Sequence, residues 1–215
     1  MSSLPLDPVL SCAEALAFEK SFFDRVDEAE WNTTTEWTAM NEAGQAIANT
    51  LWLDHLEGSR IGENARILVL VGKGHNGGDA LVATNHLLEN FSSMGAVLWP
   101  LAPWDECRPN LIRALEELVE KGGERVMELP PAVESDGPED LERILDEWTR
   151  WGGFSATLDG LLGMQAKLPL HSPLKGWVSL LNRREDLGVR FAVDLPTGLA
   201  EDEPIEDEDQ ILRAD

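Results

Sequence analysis

From position 66 onward the chain alternates between two hydrophobic rhythms. Short apolar, β-rich runs occur at 66–72 (RILVLVG), 96–102 (AVLWPLA), 125–129 (RVMEL), 155–162 (SATLDGLL) and 189–195 (VRFAVDL). Between them, apolar residues recur at the three- and four-residue spacing of a helix face, which predicts helices over 79–91, 109–120, 139–151 and 173–184. Ahead of position 66 only the helical spacing is present. Leu16, Phe23 and Val26 predict a helix over 11–26, and Met40, Ile47, Leu51 and Leu56 predict a second over 35–57. Five strands separated by helices imply right-handed crossovers, so the expected fold is α/β: a mostly parallel sheet covered by helices on both faces, with two N-terminal helices.

In such a sheet a ligand binds beyond the carboxyl ends of the strands, where the strand order reverses. Polar residues at those ends are therefore the candidates for chemistry. They are Gly74 to Asp79 after the first strand, Asp159 at the fourth, and Asp194 with Pro196, Thr197 and Gly198 at the fifth. The 215 residues read as a single domain, 1–215, by the usual span of about 100–200 residues per domain. No internal repeat or linker interrupts it; PPAVESDGPED at 130–140 reads as a surface loop. Trp99 and Trp104, near the end of the second strand, either line the site or fill the core, and the core is the expected place.

The formal charge of −23 sets up a field that repels phosphate backbones and anionic lipid, so neither nucleic acid nor membrane is an expected partner. Part of that charge is concentrated in an acidic loop, EDEPIEDED at 201–209. A phosphate-bearing small ligand has to be held by backbone N–H groups, a helix N-terminus or a bound cation. Cys12 and Cys107 have no CxxC spacing and are expected to be structural; with no signal peptide and no long apolar run, a cytoplasmic location is expected.

The loop after the first strand, VLVGKGHNGGDALVATNHLL, contains Gly72-x-Gly74-x-x-Gly77, the dinucleotide fingerprint. A nicotinamide dehydrogenase also needs an acid at the end of the second strand for a ribose hydroxyl. Here that strand ends Trp99-Pro100-Leu101-Ala102-Pro103, and the nearest acid, Asp105, lies beyond it. The run Asn76-Gly77-Gly78-Asp79 is extra: its glycines allow close backbone approach, and Asp79 is placed to cap the following helix. A capped tight turn with no ligand is the plainer alternative.

These residues resemble the G-x-G-N-N-G-G-D-G-L-V signature of the YjeF N-terminal domain family, the NAD(P)HX epimerases. Three further segments are similar in the same order: EWTAMNEAGQAIAN at 36–49 to the family's M-x-x-A-G helix, LDGLLGMQAK at 158–167 to D-A-L-F-G-T-G, and FAVDLPTGL at 191–199 to V-D-I-P-S-G-L. The resemblance implies a Rossmann-like three-layer sandwich, a homodimer, one potassium ion per subunit, and epimerisation of hydrated NADH and NADPH (NADHX and NADPHX). It places substrate contacts on His75, Asn76, Gly77, Gly78 and Asp79, on the loop Gly163, Met164, Gln165, Ala166, Lys167, Leu168 and Pro169, and on Asp194. It assigns the cation to Asn76, Asp159 and Thr197 and the catalytic acid to Asp194. An oxygen ligand set suits a hard cation. One carboxyl group that donates and then accepts a proton can serve both loss and return of water at a hemiaminal carbon.

Several positions depart from the family pattern. His75 replaces the first Asn, Ala80 replaces the Gly after Asp79, Gly160 replaces Ala, Met164, Gln165 and Ala166 replace T-G-L, and Thr197 replaces Ser. ILRAD at 211–215 is similar to the opening of a family strand, which implies truncated C-terminal strands and an open sheet edge. The dehydratase domain fused in many relatives is not in this sequence, so a separate NAD(P)HX dehydratase is an expected functional partner. A catalytically lapsed ligand-binding or interaction module and an ordinary NAD-dependent oxidoreductase are the competing readings.

Overall fold

The structure is a computed structural model that describes residues 11–23, 34–56, 65–134, 137–164, 168–199 and 210–215. Its centre is a five-stranded, all-parallel sheet of order β3-β2-β1-β4-β5. The strands are β1 (Arg66–Val71), β2 (Gly95–Pro100), β3 (Val126–Glu128), β4 (Ala156–Gly160) and β5 (Val189–Ala192). The helices are α1 (Cys12–Phe23), α2 (Thr34–Thr50), α3 (His75–Asn90), α4 (Pro109–Gly122), α5 (Pro138–Thr149) and α6 (Leu174–Arg183). A π-helical turn, Leu51–Leu56, continues α2. The acidic loop 201–209 and Val26 lie outside the described residues.

The period-2 alternation of a strand explains how β1 anchors both layers. Ile67, Val69 and Val71 face one core, packed by Leu81, Leu87 and Leu88 of α3, Leu111, Leu115 and Leu118 of α4, and Met40 and Leu51 from the α2 side. Leu68 and Leu70 face the other, with Leu141 and Leu145 of α5 and Trp177, Val178 and Leu181 of α6. Trp99 belongs to this second core and meets Trp177 edge-on at 5.4 Å. Trp104 is half-buried and donates its indole N–H to Glu128 at 2.8 Å.

Five helices differ from the sequence expectation by a few residues at one or both ends, the ordinary uncertainty of helix ends. The start of α3 is a larger difference: it begins at His75, not at Asp79. Gly77 and Gly78 thus lie inside its first turn, buried, and the N-cap is Gly74 with no side-chain cap. Asp79 does not cap the helix. Propensity disfavours glycine in a helix by about 1 kcal/mol, but tertiary packing prevails here: a Cβ on Gly77 would collide with the Gly72 carbonyl, and one on Gly78 would lie 2.5 Å from Met40 Cε.

Met40 and Gly44, the outer residues of the M-x-x-A-G segment, are the contact by which α2 lies on α3. A Cβ on buried Gly44 would sit 2.5 Å from Val82 Cγ1 and 2.6 Å from its Cβ. Two effects oppose each other in Gly44→Ala: a helix-propensity gain of about 1 kcal/mol and an overpacking cost of about 1–3 kcal/mol. The contact is to a β-branched side chain with little freedom to turn away, so net destabilisation is expected, read as a lower urea midpoint at unchanged m value.

Candidate active site

The chain steps from β1 to β2 to β3 on one side and then crosses back to lay β4 against the other side of β1. A crevice opens beyond the carboxyl ends of two strands at such a reversal. Here its walls are the glycine loop leading into α3, residues 161–164 after β4, and residues 193–199 after β5. Gly72 N–H donates to the Gly160 carbonyl at 3.0 Å, and Val193 N–H to that of Asp159 at 3.0 Å, which carries the ladder to the crevice lip.

Asp159, in the last turnout of β4, is 4% exposed. One of its carboxylate oxygens accepts the Thr197 N–H at 2.7 Å; the other accepts the Thr197 hydroxyl at 2.7 Å and the Leu161 N–H at 3.2 Å. Thr197 Oγ1 in turn accepts the Leu162 N–H at 3.1 Å, and the Leu162 carbonyl accepts an amide N–H of Asn76 at 2.9 Å. Asn76, Asp159 and Thr197 are therefore joined through Leu162 by one unbroken chain of hydrogen bonds. Burial raises the Asp159 carboxyl to about 6, opposed by the bonds from Thr197 and Leu161.

Asp194 stands just past β5 and is exposed, and its Oδ2 accepts the Met164 N–H at 3.0 Å. A Cβ on Gly163 would lie 2.5 Å from that same oxygen and would also strike Asn76 Nδ2. The start of α3 and two loops thus meet at one point, where a side chain on residue 163 would push Asn76 and Asp194 out of place. Of the remaining loop residues, Met164 and Leu168 are half-buried and Pro169 is exposed, while Gln165, Ala166 and Lys167 lie outside the described residues.

His75 is directed elsewhere. Its Nε2 pairs with Glu36 Oε1 and lies 3.1 Å from an Arg108 guanidinium nitrogen, which is 3.7 Å from Glu36. Asn110, 3% exposed, donates to the other Glu36 oxygen at 2.7 Å. The sequence pattern does not mark Glu36, Arg108 and Asn110, because positions 36 and 75 stand far in the chain from 108 and 110. The one signal was a polar residue, Asn110, next to Leu111 in an otherwise apolar-faced helix. Cys107 is half-buried with its thiol pushed up mainly by burial, which fits a structural role.

Residues 38–215 match the model of the YjeF-related protein N-terminus. The chain belongs to this family. Among YjeF-related relatives, an NAD(P)H-hydrate epimerase of Candida albicans is 31% identical over 173 residues, covering 76% of this chain and 61% of that protein. A bifunctional NAD(P)H-hydrate repair enzyme Nnr of Thermofilum pendens is 31% identical over 184 residues, 84% of this chain and 30% of that protein. The chain therefore spans about three-fifths of the first relative, 61%. The fold is also that of the crystal structure of yeast ynu0: TM-score 0.65, 22% identity, 89% of this chain and 72% of the yeast one.

Two departures from the YjeF pattern meet at one contact. A Cβ added at Gly160 would lie 2.8 Å from the methyl of Ala80 and 2.7 Å from the Asn76 carbonyl oxygen. Ala80, where the family pattern has Gly, and the backbone of the first turn of α3 thus both hold position 160 to Gly in this chain.

Two outcomes are expected. Gly163→Ala, made at the crevice lip, should leave the unfolding midpoint close to wild type but weaken any function that needs Asn76 and Asp194 together by about tenfold or more, the usual effect of a misplaced reacting group. The folded pKa of Asp159 is above its ordinary 3.8, so the folded state holds this proton more tightly. Its contribution to stability is then fully present below pH 3.8 and is lost as pH rises through about 6. In cation-free buffer this amounts to about 3 kcal/mol, measured as the pH slope of stability that Asp159→Asn removes.

Proposed function

We propose that the chain interconverts the R and S epimers of hydrated NADH and NADPH. The observation that carries this reading is the meeting of Asn76, Gly163 and Asp194 at the lip of the crevice, with the buried Asp159–Thr197 pair directly beneath. The family membership and the relatives named NAD(P)H-hydrate epimerase support it.

The substrate is a hemiaminal, with a hydroxyl on the ring carbon next to the nitrogen. Protonating that hydroxyl lets the nitrogen lone pair expel water, and water returning to the opposite face gives the other epimer. Asp194 is the proposed acid and then base. It is the exposed carboxylate at the meeting point, and the Met164 N–H at 3.0 Å fixes one of its oxygens while leaving the other to exchange the proton. Asn76 and the backbone at Gly163 orient the ring beside it. The N–H groups of the first turn of α3, whose N-cap brings no side chain, are available to substrate oxygens.

The donor set fits a large hard cation such as potassium. Among the described residues no three acidic, His or Cys side chains cluster as a chelate, but one buried carboxylate, one hydroxyl and one amide are linked together. The Asn76 carboxamide oxygen takes no hydrogen bond from the described residues. Asn76, Asp159 and Thr197 would hold the ion, which when bound would supply positive charge against the buried carboxylate and the acidic field of the chain.

Chiral chromatography of R-NADHX incubated in potassium buffer, against a protein-free control, should show faster equilibration with the S form. Asp194→Asn should slow turnover by about 100-fold or more while leaving nucleotide affinity intact. Undiminished turnover in that variant would remove Asp194 from the mechanism. Binding without any turnover by the wild-type protein would replace the epimerase reading with a ligand-binding one.

A further inference from the structure

Beside the glycine loop, on the side away from Gly163, the fold brings Lys73, His75 and Arg108 together in a chain that has 17 Lys and Arg against 40 Asp and Glu. Lys73 and His75 flank Gly74, and Arg108 precedes α4. Arg108 N–H donates to the Lys73 carbonyl at 3.2 Å, which fixes the two loops to each other, and Arg108 lies 3.1 Å from the His75 ring. All three side chains face water, 52%, 49% and 57% exposed for Lys73, His75 and Arg108. Lys73 and Arg108 each also face a carboxylate, Glu106 at 3.1 Å and Glu36 at 3.7 Å, so what the grouping offers an anion is a set of convergent N–H donors and not a net positive field.

Its place in the sheet says which anion. In doubly wound folds the residues that follow the second strand meet the adenosine ribose; an acid there binds a free 2′-hydroxyl, and an arginine accommodates a 2′-phosphate. Here β2 ends at Pro100 without an acid at its tip; the loop after it carries exposed Asp105 and Glu106, the latter held by Lys73 at 3.1 Å, and then Arg108. Glu36 cannot stand in for the absent acid. One of its oxygens is engaged by His75 and Arg108 and the other by Asn110, and its side chain is 23% exposed. It works instead as a buried-side clamp that aims His75 and Arg108 outward. Arg108 commits one guanidinium nitrogen to that clamp, while a guanidinium carries five N–H donors in all. The Lys73 to Glu106 pair, 3.1 Å long and about half exposed on both sides, is weak enough to yield to a dianion.

We propose that Lys73, His75 and Arg108 form a phosphomonoester subsite that receives the adenosine 2′-phosphate, and that this chain consequently prefers NADPHX to NADHX. The identity of the ligand rests on the epimerase reading above. The reacting ring would lie at Asn76, Gly163 and Asp194, the substrate would cross the first turn of α3, and its adenosine end would leave over the β1 to β2 side.

Titration calorimetry with adenosine 2′,5′-bisphosphate and adenosine 5′-monophosphate tests the subsite without requiring turnover. The bisphosphate should bind wild type about tenfold more tightly, the share of one charge-assisted hydrogen bond. That advantage should vanish in Arg108→Gln and shrink in Lys73→Gln, with monophosphate affinity held. Lys73 is exposed, so its variant keeps the proposal testable if Arg108→Gln disturbs Glu36; unfolding midpoints report this. In turnover, both substitutions should lower kcat/KM for NADPHX and leave that for NADHX nearly unchanged. Equal binding of the two nucleotides, binding of neither, or equal weakening of both by the substitutions would overturn the proposal. The last would assign the cations to the 5′-phosphates instead. A wild-type protein that discriminates the nucleotides but turns over neither substrate would end the epimerase reading and leave the subsite standing.

Discussion

A carboxylate that sits where water scarcely reaches must be supplied with donors or give up its charge, and Asp159 imposes that requirement on everything around it. Its three protein donors come from two different loops. Thr197 supplies both N–H and O–H from beyond β5, and Leu161 supplies an N–H from beyond β4. The carboxylate thereby ties the ends of adjacent strands, and the hydroxyl that serves it passes the connection through Leu162 to Asn76 on α3. The crevice is one coupled unit, because moving any of the three walls leaves a buried donor or acceptor without its partner. Threonine in place of the family serine changes none of this, since only the hydroxyl and the backbone N–H are used.

The same region divides its polar residues by side. Toward β4 and β5 lie acceptor oxygens and a carboxyl group able to exchange a proton. Toward β2 lie Lys73 and Arg108, each beside a carboxylate, Glu106 and Glu36. Under the proposed function the substrate ring would lie on the first side, where a proton must move, and its charged end on the second. The N–H groups at the start of α3 stand between the two.

Much of this is legible in the sequence. The five apolar runs are legible as strands because they are short and alternate with helical stretches, and the residues at and just past their ends, Asp159, Asp194 and Thr197, do meet around Asn76. The start of α3 was misplaced because glycine signals a loop by propensity, whereas here Gly77 and Gly78 are helical to admit the Gly72 carbonyl and Met40. The fate of His75 was illegible for a different reason. Glu36, Arg108 and Asn110 come from α2, the β2 to α4 loop and α4, and nothing in local periodicity brings positions 36, 75, 108 and 110 together. The M-x-x-A-G segment could be matched but not understood from sequence; its Met and Gly prove to be the surface by which α2, and with it Glu36, is seated on α3.

A side chain at position 160 is blocked from two directions, by the methyl of Ala80 at 2.8 Å and by the Asn76 carbonyl oxygen at 2.7 Å. Removing the methyl would clear only the first and leave a hole beneath the glycine loop. The second is backbone, so a larger residue at 160 must push the first turn of α3 off β4. The bare strand position therefore sets how closely Asn76 is seated over Asp159, and the spacing of the crevice is written in a residue that has no side chain to contribute to it.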